Sequence, residues 1–205
     1  MGLPGVVLAA GRSTRMGRPK ALLELPGGES FCVHIVDALL HAGVAPVVIV
    51  TRAGDAALRK TIARLSTDDV RVVINPDPDR GQLSSLQRGL TALDPAAPAA
   101  VVTLVDVPLV SPASIRRIVD AWTSSRAPVV RPERGGRHGH PIVVSRAVVA
   151  ALCAAAPTGS ARDVIAPFLP SSLDVALEDE GLFADVDTPE EYARLLGRRR
   201  DHPTS

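Results

Sequence analysis

The chain has 205 residues, 46% of them hydrophobic but only 2% aromatic, with 23 lysines and arginines against 22 aspartates and glutamates and a net charge of +1. That length suits one domain of ordinary size with a full core, and the near balance of charge supplies neither a global basic field for nucleic acid nor an acidic excess favouring disorder. The scarcity of aromatics predicts an aliphatic core without stacking platforms for single-stranded nucleic acid, Cys32 and Cys153 are too few and too far apart for a disulfide framework, and no apolar run reaches the ~20 residues that span a bilayer. With no signal peptide ahead of the first apolar run, the cytoplasm is the expected compartment, and neither nucleic acid nor membrane is an expected partner.

Val6 to Ala9 is a short apolar run of the kind buried on both faces in a parallel sheet. It opens abruptly into a loop of different chemistry. Gly11 and Gly17 allow close backbone approach or positive φ, Ser13 and Thr14 offer hydroxyls and amides, and Arg12, Arg15, Arg18 and Lys20 place four cations within nine residues. Such a loop at the carboxyl end of a strand suits an anionic ligand such as a nucleoside triphosphate. It is not a Walker A loop, because five residues separate Gly11 from Gly17 and Lys20 follows Pro19. Nor does it carry the three glycines of a dinucleotide fingerprint.

Phe31 to Ala42 has apolar residues at helical spacing with Gly43 as its stop, Val47 to Thr51 reads as a second buried strand, Asp55 to Leu65 as an amphipathic helix and Val70 to Ile74 as a third strand. This alternation predicts a single-domain α/β fold with an open, mostly parallel sheet flanked by helices. Asn75 to Gly81 is too rich in proline for a helix and reads as a connection into a helix from Leu83 to Leu93. Ser84 and Ser85, at the start of that helix, either cap it or meet a nucleotide's polar edge or phosphate. Ala99 to Val105 is the most continuous apolar run, a central strand, and ends at Asp106. A carboxylate at that tip, beside the cationic loop, is placed to hold Mg2+, the alternative being a solvent-facing end to the strand.

Ser111 to Trp122 returns as a helix, and Val129-Val130 and Ile142 to Val144 are short strands around the glycine- and charge-rich stretch Arg131 to His140. His138 and His140 lack further ligands nearby, which favours a structural or substrate-contacting role over zinc. Val148 to Ala154 is helical, Thr158 to Arg162 begins a short helix running to Phe168, and Leu173 to Leu177 is a last strand; Arg162 either reaches an acceptor phosphate or stands on the surface. Thr188, Pro189 and Glu191 spell a capping box for a final helix to about Leu196, so the domain spans 1–197 with a basic tail over 198–205. There is no internal repeat.

Leu8-Ala9-Ala10-Gly11-x-Ser13-x-Arg15-Met16-Gly17-x-x-Lys20 resembles the signature of the MobA-like nucleotidyltransferases, most closely the molybdenum cofactor cytidylyltransferases (MocA-like). Four further blocks agree in order: Asn75-Pro76 with Gly81 to Leu90, Asp106 to Leu109, Gly139-His140-Pro141, and Asp185 to Tyr192. The resemblance implies a Rossmann-like nucleotidyltransferase fold and Mg2+-dependent transfer of CMP from CTP to the phosphate of molybdopterin or the molybdenum cofactor, releasing pyrophosphate. On that reading Leu8, Ala9, Ala10, Gly11, Arg12, Ser13, Gly17, Lys20, Asn75, Gly81, Ser84 and Ser85 bind the nucleotide. Arg15, Lys20 and Asp106 carry catalysis, Asp106 and Asp187 hold the metal, and His140 and Arg162 face the acceptor. The partners implied are the triphosphate, a phosphorylated small-molecule acceptor, and a molybdenum enzyme or its insertion chaperone as recipient.

Leu-Ala-Ala-Gly resembles the cytidylyltransferases and Leu-Ala-Gly-Gly the guanylyltransferases, and a methyl group at Ala10 occupies space that a purine would use. Two departures from the cytidylyltransferase pattern, Val105-Asp106-Val107-Pro108 and Gly81-Gln82-Leu83-Ser84-Ser85, leave other family readings open: GTP with molybdopterin, a sugar phosphate or a phospholactate-type precursor as acceptor. A non-catalytic carrier of finished cofactor is the alternative outside enzymology.

Overall fold

The computed structural model of the protein describes residues 2–65 and 67–197; the basic tail expected over 198–205 lies outside the described residues. Its elements are β1 (Gly5–Leu8), α1 (Phe31–His41), β2 (Val47–Arg52), α2 (Ala56–Ile62), β3 (Val70–Asn75), α3 (Gln82–Thr91), β4 (Ala99–Leu104), α4 (Pro112–Ser125), β5 (Val129–Arg134), β6 (Arg137–His138), β7 (Ile142–Ser145), α5 (Arg146–Ala154), α6 (Ala161–Ile165), β8 (Leu173–Ala176) and α7 (Pro189–Gly197). Among the described residues, no helix is long and apolar enough to cross a membrane.

The strands form one sheet in the order β3-β2-β1-β4-β7-β5-β6, with β8 against β5. β3, β2, β1 and β4 run parallel, as the alternation of strands and helices predicts. β7 then enters antiparallel between β4 and β5. Because side chains alternate across a strand, β1 feeds two apolar layers: Val7 joins Phe31, Ile35, Leu39, Ile115 and Ile118 beneath α1 and α4, while Val6 and Leu8 join Leu83, Leu86, Leu90 and Leu152 beneath α3 and α5. Both faces are therefore covered, which is why these strands are written as unbroken apolar runs.

α3 lies close on the sheet because Gly89 faces it: a β-carbon there would stand 2.4 Å from Val6 Cγ1 and 2.9 Å from Val50 Cγ2. Alanine would gain ~1 kcal/mol of helix propensity, against ~1–3 kcal/mol for overpacking two buried β-branched side chains. With two contacts under 3 Å the upper part of that range applies, a net loss of ~1–2 kcal/mol, and Gly89→Ala is accordingly expected to lower the thermal midpoint by about 2–8 °C. A midpoint at or above the parent's would show that α3 has room to spare over β1 and β2.

Two stretches differ from the sequence expectation. Within Asn75 to Gly81 a single 3-10 turn forms at Pro78–Arg80, a length at which a leading proline is compatible with helical geometry. The charged stretch Arg131 to His140 is a β5–β6 hairpin, closed by Gly135 and Gly136 at φ 58° and 81°. β8 pairs along the opposite edge of β5, so β6 and β7 share one edge; their register slips by two residues between Glu133↔His138 and Val130↔Val143. Gly139-His140-Pro141 takes up the slack, and the His140 amide leaves the sheet to donate to the Leu182 carbonyl at 2.9 Å.

Candidate active site

β1 and β4 are parallel neighbours with Leu8 opposite Leu104, so the loop after Ala9 and the carboxylate of Asp106 emerge side by side. Between them opens a cleft of about 260 Å³, walled by the loop, by Leu104 to Asp106, by Pro78, Gln82 and Ser85 at the head of α3, and by Asp187. Loop residues Ser13 (φ 50°) and Gly17 (φ 66°) are both left-handed. For serine that conformation costs of order 1–3 kcal/mol, and the surrounding contacts offset it: the Ser13 carbonyl accepts from the Met16 amide at 3.0 Å and its Oγ from the Lys20 amide at 3.1 Å. The loop is thereby drawn closed, with Lys20 aimed inward.

Lys20 Nζ lies 3.2 Å from Asp106 Oδ2 and also donates to Asp187 Oδ1, while Arg15 donates to Asp187 Oδ2 at 2.9 Å. The Lys20 hydrogen bond holds the Asp187 carboxyl below the usual range against the opposing effect of burial, with Arg15 adding to it. Asp185 is pushed the other way, by burial first and then by the like charges of Asp106 and Asp187. Asp106 Oδ1 is buried with no hydrogen-bond partner among the described residues. Two carboxylates converging on one cation, one of them with a free oxygen, suit a hard divalent ion. Among the described residues no group of three or more His, Cys, Asp or Glu side chains is arranged to hold a metal, so a six-coordinate ion here would complete its shell with phosphate oxygens and water.

Asp187 is positioned by local chemistry. The Val186 amide donates to the Asp106 carbonyl at 2.8 Å, tying the two carboxylate-bearing segments together. The predicted capping box is present: Thr188 Oγ1 accepts from the Glu191 amide at 3.3 Å and Glu191 Oε2 from the Thr188 amide at 2.9 Å. The same Glu191 oxygen also accepts from the Asp187 amide at 2.7 Å.

Of the residues singled out from sequence, Leu8, Ala9, Ala10, Gly11, Ser13, Arg15, Lys20, Ser85, Asp106 and Asp187 line the cleft. Arg12 does not; its guanidinium is bound to Asp79 on the connection before α3, with Nε 2.6 Å from Oδ1. Gly17 ends the loop's 3-10 turn, outside the cleft wall. Asn75 stands behind the wall, donating from Nδ2 to Ser84 Oγ and Ser85 Oγ at 2.9 Å each. Ser84 is neither a cap for free amides nor a cleft residue: its hydroxyl donates at 2.7 Å to the carbonyl of Gly81, the N-cap before α3, which is itself outside the cleft lining. His140 is half-buried outside the lining; burial lowers its imidazole pKa, with nearby Asp106 opposing. His138 pairs with Asp174 at 3.1 Å on the outer ribbon, and Arg162 is exposed on α6, away from the cleft lining.

Thr14, which the sequence offers beside Ser13 as a hydroxyl donor, also lines the cleft, whereas sequence reasoning missed Gln82 and Asp185. The i, i+2 spacing of Asp185 and Asp187 in an extended segment was a usable signal for the last of these, whereas nothing in the sequence separates Gln82 from a surface glutamine.

Residues 5–175 match the MobA-like NTP transferase domain. A Mycobacterium avium (strain 104) protein named a probable molybdenum cofactor guanylyltransferase is 36% identical over 139 residues, which is 67% of this chain and 66% of that protein. The chain thus spans just under two thirds of the length of the curated relatives it matches. The crystal structure of Rv0371c from Mycobacterium tuberculosis H37Rv superposes with a TM-score of 0.80 at 30% identity, covering 96% of this chain and 98% of that one. Rv0371c in complex with manganese gives a TM-score of 0.75 at 28% identity, covering 96% and 99%.

Proposed function

The chain belongs to the MobA-like NTP transferase family, and from that premise we propose that it moves a nucleotidyl group from a nucleoside triphosphate to the phosphate of molybdopterin or the molybdenum cofactor, releasing pyrophosphate. The observation that carries this reading is the cluster of Arg15, Lys20, Asp106 and Asp187 in one cleft at the carboxyl ends of β1 and β4. An acceptor phosphomonoester, with its second pKa of about 6, is already ionised at neutral pH and needs no general base. The task left to the protein is to bring two anions together and to stabilise the departing pyrophosphate, which is positioning and electrostatics.

Lys20 and Arg15 supply the positive charge for the phosphates, and Gly11, Ser13 and Thr14 of the loop line the same cleft. Asp106 and Asp187 would hold a divalent cation, which when bound withdraws charge from phosphate oxygens. The manganese complex of a structural relative supports a divalent requirement. His140, beside Asp106, is proposed to face the acceptor, and a molybdenum enzyme or its insertion chaperone to receive the product.

CTP is the proposed donor, on the strength of Ala10, which is 3% exposed and lines the cleft just beyond the end of β1. GTP is the second reading, favoured by the name of the Mycobacterium avium relative. Pyrophosphate release, measured with Mg2+ or Mn2+ and each of CTP, GTP, ATP and UTP, with and without molybdopterin, tests both. The expected result is release with CTP and molybdopterin together, and a shift toward GTP of about tenfold in Ala10→Gly, the worth of one methyl in a specificity pocket. Release with GTP alone selects the second reading. Release only with a sugar phosphate or phospholactate-type acceptor moves the substrate, and binding of finished cofactor without any turnover makes the protein a carrier.

A further inference from the structure

Lys20 occupies an unusual position for a phosphate-binding lysine. Its side chain is only 12% exposed, and its ammonium is shared between Asp106 Oδ2 and Asp187 Oδ1. An ion bound by both carboxylates must approach each oxygen to about 2.0–2.6 Å, which puts it in the same wedge that the ammonium fills. Two cations in that wedge would repel at contact distance. Arg15 touches only Asp187 among the pair, so it cannot span them in place of the lysine. The lysine stem has four flexible carbons and a compact head, and so can swing without moving the backbone.

We infer that Lys20 and a divalent cation are alternative occupants of the wedge between Asp106 and Asp187, so that metal binding expels the Lys20 ammonium and hands it to the triphosphate. Asp106 Oδ1, buried and without a partner among the described residues, gives the incoming ion a first ligand while Lys20 still holds Oδ2. Because a displaced lysine is stabilised by phosphate, and phosphate by the lysine, metal and triphosphate each promote binding of the other, reciprocally. The metal is then held firmly only in company with the nucleotide. The inference rests on the proposed function only in taking Asp106 and Asp187 as the metal ligands.

The chain contains two lysines, Lys20 and Lys60, and Lys60 is exposed on α2, so it serves as an internal reference. Amine acylation of the unaltered full chain, read by peptide mass spectrometry with and without Mn2+ alone, should show Lys20 labelling rising several-fold relative to Lys60 when Mn2+ is added. Titration of Lys20→Gln with Mn2+ alone should show binding about tenfold tighter than the parent's, within the usual range of coupling between sites. Lys20 labelling that stays level or falls on Mn2+ binding overturns the exchange. So does a Lys20→Gln protein that binds Mn2+ no tighter than the parent, or the absence of Mn2+ binding in both. The labelling arm uses no substitution, so a misfolded variant leaves the inference exposed to test. Neither arm uses nucleotide or acceptor: exchange without nucleotidyl transfer would sink the proposed reaction alone, and transfer with Lys20 undisturbed by metal would sink the exchange alone.

Discussion

Asp106→Asn is expected to reduce nucleotidyl transfer by about 10³-fold, an amount that corresponds to roughly 4 kcal/mol of transition-state stabilisation and is in keeping with loss of a metal-binding charge. The amide keeps the shape of the side chain but not the charge that the proposed metal requires, and it leaves Lys20 resting on Asp187 alone. The fold should hardly notice. Asp106 is partly exposed and its ion pair with Lys20 is one of two that the lysine makes, so the expected stability change is within about 1 kcal/mol, or ~2–4 °C in midpoint. Pyrophosphate release and thermal unfolding on the same preparation check both halves. Activity within tenfold of the parent would remove Asp106 from the proposed chemistry.

Gly139→Ala should do its damage to structure first. A β-carbon at this position would stand 2.1 Å from the Leu182 carbonyl oxygen and 2.8 Å from the Phe183 ring carbon Cδ1, and the oxygen is backbone that no side-chain rotation can move. The 3-10 turn Glu180–Phe183 would be driven off the bulge that receives it, costing about 3 kcal/mol and lowering the midpoint by ~6–12 °C. Since that turn leads directly to Asp185 and Asp187, transfer should fall with it even at temperatures where the variant is folded. Gly27→Ala, where nothing lies within 4 Å of the added carbon, is the matched control and should be neutral. A parental midpoint for Gly139→Ala would mean that the turn is not seated on the bulge as closely as the geometry requires.

The half of the fold that carries the cationic loop was legible because its strands are buried on both faces: Val6 to Leu8 and Val47 to Val50 could be written only as apolar runs. The capping box at Thr188 and Glu191 was legible because all of its chemistry lies within four residues. The β5–β6 hairpin was not, because beyond Val130 its side chains are mostly polar and its outer part is tied to β8 and the residues after it by ion pairs, Arg131 and His138 with Asp174 and Arg134 with Glu178. Composition reads such a stretch as a charged loop. Ser84 and Ser85 show the same limit at the site, since adjacent hydroxyls look alike until Asn75 fixes both and only Ser85 faces the cleft. The proposed catalytic cluster could be named residue by residue through resemblance, but its internal wiring, with Lys20 lodged between the two carboxylates, depends on contacts that no local pattern encodes.

Lys20 and Asp187, which meet in the cleft, are 167 positions apart in the chain. During synthesis, the loop, the first four strands and Asp106 all leave the ribosome well before the segment that supplies the second carboxylate. A nascent chain therefore possesses the proposed triphosphate cradle before it possesses the full acidic cluster, and the proposed chemistry requires the stretch around α7 to dock. The family match itself stops at residue 175, so a truncated protein cut at that boundary would keep the cradle and lose Asp187.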